Sequence, residues 1–394
     1  MARVPITGIG VIAPGAIGTA AFRAQLAEGR SAIATVDRFD TTGLSAHKAA
    51  VLRDFNPRDF IAPMKMRRMN NLSRIGLSAA KLAVQDSGNA TLDPGTGVAL
   101  GTAFGPVQTS VDYLEEYVEK GAALAPPQLF AESVANAPGS HIAIDLNLRG
   151  FNVTITQRES SVLAAAMYAG SQIVKGAVPA ALIGGVEEVN EMIFSVLDRV
   201  GALANGEDEQ SRPFDRRRNG LVMGEGGAVL IAGGTGRPYA YLSGFGIARD
   251  NTASVSDWGT GYEAVVAAMR AALEDAGITA AEVDAVYASA NSTLQADRLE
   301  ARAIYALFGA RVPVVATKGV FGEYAAAGGL QLAAAILAVA DQNLHPSAGF
   351  ASPDEEVRFD VNRELRQAAL LHIIVNSVSA GGGIVSAVIS REAV

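Results

Sequence analysis

Short apolar runs rich in β-branched or small residues recur along the chain, over residues 4–12, 98–101, 153–156 and 180–185. The first is closed by Pro14 and Gly15, and each of the others lies near a glycine or polar turn. Runs of this length and bounding predict strands. Between them the apolar positions are spaced three and four residues apart, as over 75–86, which predicts helices. Strand and helix alternate throughout, and that alternation predicts an α/β fold with helices covering sheet faces.

The second part of the chain repeats the first in outline. AVQDSG (83–88) and ALEDAG (272–277) each close a helical pattern. Each is followed about ten residues later by a short strand and turn, VALGTAFG and then AVYASANS. The small-residue helix over 160–174 has a counterpart over 324–339. This pattern divides the chain into halves at 1–235 and 236–394, with the break near GGTGRP. Chance similarity between short small-residue segments is the alternative. The first half carries extra residues at 104–150, including Pro106, Pro126, Pro127 and Pro138, and such insertions often form lids or subunit contacts.

Composition narrows the chemistry. The chain has no cysteine, which excludes disulfides, thiolate metal sites and a cysteine nucleophile. Its four histidines, His47, His141, His345 and His372, leave imidazole chemistry few places. Acidic residues outnumber basic ones, 40 to 32, which argues against nucleic acid as a partner. The amino terminus reads as a strand and turn, not a signal peptide. The longest apolar stretch, 325–340, is interrupted by Gln331 and suits a packed core helix, so no membrane insertion and a cytoplasmic location are expected.

Three segments carry a resemblance. ITGIGVIAPG (6–15), SRPFDRRRNGLVMGEGGAVL (211–230) and TKGVFGEYAAAGG (317–329) together resemble the β-ketoacyl synthase family of the thiolase superfamily. GGVEE from Gly184 matches that family's G-G-x-E. The resemblance spans the chain. It implies the thiolase fold, with duplicated βαβαβαββ halves in a five-layer α-β-α-β-α arrangement packed as one unit.

The departures from the family pattern bear on function. The family's D-T-A-C-S-S-S turn is here Thr156-Gln157-Arg158-Glu159-Ser160-Ser161-Val162, so Glu159 stands at the nucleophile. A synthase needs that thiolate to hold an acyl chain. It also needs two histidines for malonyl decarboxylation. The first is in register with Ser289, with Asp297 and Glu300 retained downstream, and the second with Glu323. Lys318, the family's lysine, is kept. None of the four histidines replaces the lost pair. The glycine-rich gate, G-F-G-G-T-N-G in the family, is reduced to Val378, Ser379, Ala380 and Gly381 followed by glycines, and Ala380 replaces the gating aromatic.

No catalytic residue, metal or cofactor is therefore expected. Pseudo-symmetry should set Glu159 and Glu323 face to face across the degenerate site. One reading makes Glu159 structural, paired with Lys318 or Arg158, and another gives it acid–base chemistry on a bound thioester. The resemblance implies a chain-length factor: a non-condensing subunit that pairs with an active ketosynthase and closes its acyl tunnel, in a type II polyketide, aryl polyene or fatty-acid-like system. The partner's reaction uses acyl and malonyl groups on the phosphopantetheine of acyl carrier protein, a second expected partner. The alternatives are a malonyl-carrier decarboxylase using Glu159 and Lys318, and a homodimeric scaffold. Tunnel and interface residues are expected in the insertion: Phe104, Val107, Val111, Tyr113, Leu114, Phe130, Ser133 and Val134. Arg212, Arg216, Arg217 and Arg218 read as internal ion pairs. Lys65, Arg67 and Arg68 read either as a carrier-protein contact or as a solvated face.

Overall fold

A computed structural model describes residues 3–392. Its centre is an 11-stranded mixed sheet. Ten strands run along it: β1 (Val4–Ala13), β2 (Gly97–Gly101), β3 (Asn152–Ile155), β4 (Ala180–Glu187), β5 (Gly226–Gly233), β6 (Ala240–Arg249), β7 (Ala285–Tyr287), β8 (Val314–Val315), β9 (His372–Val378) and β10 (Gly383–Ser390). A two-residue strand, Ala16–Ile17, pairs only with β1. The spatial order is β8-β7-β9-β10-β6-β1-β5-β4-β2-β3. Read outward from the β1–β6 seam, both sides follow one rule: first strand, fifth, fourth, second, third. The directions repeat as well, antiparallel for the inner two pairings and parallel for the outer two.

The seam is narrow. Val4, Pro5 and Ile6 pair with Leu242, Tyr241 and Ala240, after which β1 turns to β5. The helices that matter here are α1 (Asn71–Asp86), α2 (Val107–Lys120), α3 (Pro127–Glu132), α4 (Ala137–Asp145), α5 (Ser161–Val174), α6 (Tyr262–Ala276), α7 (Leu294–Phe308) and α8 (Ala325–Asp341). Three apolar cores separate the layers. One joins α1 to the outer face of β1, β2, β4 and β5, through Leu72, Ile75, Ala79, Val98, Leu182 and Val229. A second joins α6 and α7 to β7 and β9, through Met269, Ile304, Val286 and Ile374. The third holds α5 and α8 between the inner faces of both sides. The outcome is the five-layer thiolase arrangement, with α5 and α8 as its middle layer.

The middle layer explains the long apolar stretch. In α8, Leu330 and residues 332–339 are buried, with Gln331 among them. Gln331 Nε2 donates to the carbonyls of Tyr287, Ala288 and Asn376, which satisfies the one polar side chain in the run. No helix among the described residues is long and apolar enough to cross a membrane. Most expected elements lie within a residue or two of their sequence-based bounds. The helix expected to begin at residue 324 begins at Ala325, and Tyr324 stands outside it at φ 97° and ψ 173°. A bulky residue reaches that region only under strain, of about 1–3 kcal/mol.

Candidate functional site

The site forms where α5 and α8 begin side by side. After β3, a one-turn helix at Arg158–Ser160 carries Glu159 into the interior, and Arg158 takes a left-handed φ of 47° to make the turn. In the other half, Gly322 at φ 77° delivers Glu323 to the start of α8. Gly224 and Gly322 cross at close range: a Cβ on Gly224 would stand 2.2 Å from the carbonyl oxygen of Phe321. This contact accounts for the glycine in LVMGEGG, because only a bare Cα lets the two backbones approach. Glu323 N–H donates to Val222 O at 2.9 Å and Gly224 N–H donates to Glu323 O at 3.0 Å, which locks the turn.

The structure brings Glu159, Ser289, Lys318, Glu323 and the 378–381 loop together, all buried except Gly381. Lys318 Nζ donates to Glu323 Oε2 at 2.6 Å and to Ser289 O at 2.6 Å. Ser289 N–H donates to Glu300 Oε1 at 2.9 Å, and Ser289 Oγ accepts from Val378 N–H at 2.9 Å. Glu159 Oε2 accepts from Ala380 N–H at 3.2 Å, and its carbonyl oxygen accepts from Ser377 Oγ at 2.6 Å. Ser160 and Ser379 bond to each other side chain to side chain at 2.7 Å. The loop is thus tied to the Glu159 turn at several points.

The lysine is committed to Glu323, and it acts on Glu159 only through its field. Burial raises the Glu159 carboxyl to about 7, and the charge on Glu323 adds to the rise. Its own backbone N–H, Lys318 and Arg158 pull the other way. Burial also raises Glu300 to about 7. An ionised carboxylate out of water is costly unless paired, and here three carboxyls share one ammonium.

Two further residues complete the site. Tyr324 is buried, and its ring packs on Phe104 with centroids 5.1 Å apart. Burial and the charges of Glu159 and Glu323 hold its hydroxyl far above its ordinary value, with Arg158 and Glu187 also within electrostatic reach. Its N–H donates to Glu323 Oε1 at 2.8 Å, which ties the residue to the site. Glu187, the acid of the GGVEE segment, accepts from Ala103 N–H at 2.6 Å and from Thr102 Oγ1 at 3.2 Å, and so seats the turn that presents Phe104. Burial pushes Glu187 to about 8. The G-G-x-E match pointed to Glu187. No sequence signal marks Tyr324, because a tyrosine beside a run of alanines reads as the first residue of a core helix.

The residues expected to shape a tunnel divide. Phe104 turns inward onto Tyr324. Tyr113 packs on Phe130 at 5.5 Å, within the insertion. Val107, Val111 and Ser133 are half-buried, and Leu114, Phe130 and Val134 are exposed. A polar face of α2, with Gln108, Thr109 and Asp112, lines a cleft of about 650 Å³ together with Arg38, Arg74 and Glu188. Of the arginine cluster, Arg212 pairs with Asp208, Arg217 with Asp215, and buried Arg218 with both Asp297 and Asp354. Lys65 pairs with Asp145.

Two family models cover most of the chain: the β-ketoacyl synthase N-terminal domain over residues 1–234 and the C-terminal domain over 239–351. The chain belongs to the β-ketoacyl synthase family. A putative polyketide β-ketoacyl synthase of Streptomyces halstedii is similar at 33% identity, over 98% of this chain and 97% of the relative. A 3-oxoacyl-[acyl-carrier-protein] synthase of Coxiella burnetii is similar at 29%, over 99% and 98%. Among solved structures, the ishigamide ketosynthase/chain length factor superposes with a TM-score of 0.92 at 27% identity, covering 99% of each chain. A β-ketoacyl synthase from Burkholderia phymatum superposes at 0.89 and 26%, covering 100% of each chain. This β-ketoacyl synthase family member therefore matches its relatives end to end.

Proposed function

We propose that the chain is a non-condensing partner of an active β-ketoacyl synthase, a chain-length factor in a type II polyketide, polyene or fatty-acid-like system. The observation that carries this reading is the chemistry at the three substituted positions. Glu159, Ser289 and Glu323 stand in register with the family's cysteine and two histidines. A buried carboxylate cannot hold an acyl group as a thioester, and Glu323, an acceptor paired to Lys318, stands where the family's second histidine donates to an enolate oxygen. Lys318, the retained group, is neutralised by Glu323. Similarity to a structure that its title describes as a ketosynthase/chain length factor supports the same reading. We take residues 1–235 and 236–394 as the two halves of one unit, with no catalytic residue of its own and with acyl carrier protein as the partner's substrate carrier.

Within this reading the insertion meets the partner and limits its product. Val111 is half-buried on α2 and Leu114 and Phe130 are exposed nearby, as expected of side chains that a second subunit covers. The test is co-expression with Cys-His-His ketosynthases, with size and mass analysis of what co-purifies. A 1:1 complex with one synthase is expected, and trimming Val111 to Ala in that complex should lengthen its product. A stable homodimer indifferent to every synthase would sink the proposal. Release of CO₂ from malonyl-carrier protein by this chain alone, lost in Glu159→Gln, would replace it with a decarboxylase.

A further inference from the structure

We infer that Tyr324 is a built-in stopper which keeps acyl chains out of this chain's own pocket, so that restoring the missing cysteine would not by itself restore access for a substrate. This goes beyond the non-condensing role, which concerns only the lost reactive groups.

Three independent observations converge on the tyrosine. The first is position. Any acyl group attached at residue 159 must extend into the space beside that residue, and the first turn of α8 lies against the Glu159 turn, where a Cβ on Gly328 would stand 3.3 Å from Glu159 O, with Tyr324 one turn earlier. The second is packing. Tyr324 is 3% exposed and its ring rests on Phe104, whose turn is seated by the Glu187 carboxylate. The two aromatic rings pack on each other, and a packed interior does not open without cost. The third is strain. Tyr324 holds φ 97° and ψ 173°, a conformation natural to glycine alone, and its N–H donates to the Glu323 carboxylate at 2.8 Å. A strained backbone persists only where its surroundings over-determine it, and here the beneficiary is the buried ring.

The chain offers an unusually clean assay because it contains no cysteine. In Glu159→Cys the introduced residue is the sole thiol. Alkylation by an iodoacetamide forms one S–C bond at the probe's methylene and expels iodide, and the thiol proton passes to solvent. Two probes are compared by intact mass, iodoacetamide itself and its N-octyl derivative. The variants are Glu159→Cys and Glu159→Cys/Tyr324→Gly, since glycine accepts the native φ. The octyl probe should label the double variant at least about tenfold faster than the single one, while the small probe discriminates much less. A further variant, Glu159→Cys/Tyr324→Phe, keeps the ring and should stay as closed as the single variant. Equal octyl rates in the single and glycine variants, including no labelling in either, would overturn the inference. If the glycine variant does not fold, Glu159→Cys/Phe104→Ala removes the ring's support and is read against the same ratio. No partner synthase is present, so failure to find one would count against the proposed function and leave this result standing.

Discussion

A carboxylate at position 159 is expensive in a way that a cysteine is not. Glu159 is buried, Ala380 N–H donates to its carboxyl, and Lys318, whose field reaches it, is held by Glu323. Its folded pKa is raised to about 7 by burial and then by Glu323, so the folded chain binds the proton more tightly than the unfolded chain does. The stabilisation this provides is fully present below the unfolded pKa, near 4.5, and is lost as pH rises through about 7. One such group shifts stability by on the order of a few kcal/mol. Glu300 and Glu187 act with the same sign. Thermal unfolding should therefore show stability falling from about pH 4.5 to about pH 8, and Glu159→Gln should flatten the part of that fall below about pH 7 and exceed the parent at the upper end. Parallel curves for parent and variant would show that Glu159 is ionised throughout. The sequence disclosed that Glu159, Glu323 and Lys318 meet, because each stands in a recognisable motif. It did not disclose which carboxylate the lysine chooses, since that depends on the Gly322 turn placing Glu323 five residues from Lys318 and within 2.6 Å of it.

At the scale of elements, the repeated AVQDSG and ALEDAG segments have a shared physical task. Asp86, at the end of α1, accepts from Ile9 N–H in β1 at 2.8 Å, and Asp275, near the end of α6, accepts from Phe245 N–H in β6 at 2.9 Å. In each strand the flanking glycines let the helix lie against bare backbone. A Cβ on Gly10 would stand 1.9 Å from Ala79 O, and one on Gly246 would stand 2.0 Å from Ala268 O. Gly10→Ala and Gly246→Ala should thus each destabilise by about 3 kcal/mol or more, as overpacking against a backbone that cannot yield. Urea unfolding of the two variants checks both the size and the equivalence. The fold was legible at this level because period and small-residue spacing survive in both halves. The strand order was not legible from pattern, because β3 and β8 are short edge strands whose pairing is decided by long-range contacts. Tyr324 escaped for the opposite reason: local propensity reads it as helix, and tertiary packing forces it into a glycine conformation.

For the whole molecule, the insertion gathers several exposed apolar side chains in one segment. Leu114, Val118, Leu124 and Phe130 are each more than half exposed, with Val118 at 80%. Isolated apolar residues on a surface are ordinary, but four within one short segment suit a subunit contact. Val118→Asp should weaken co-purification with a partner synthase by about tenfold or more, with an unchanged unfolding midpoint for the chain alone. Loss of the complex with a lowered midpoint would mean damage to the fold instead. The middle layer has a consequence for biosynthesis. Helix α5 belongs to the first half and is covered by α8, which is made some 150 residues later, while the seam between the sides is three residue pairs wide. Until α8 emerges, the nascent first half presents an apolar face with no cover of its own. A truncated product ending near the seam is therefore a candidate for chaperone capture or for pairing with a second copy, because the bare α5 faces of two such fragments can cover each other where α8 is missing.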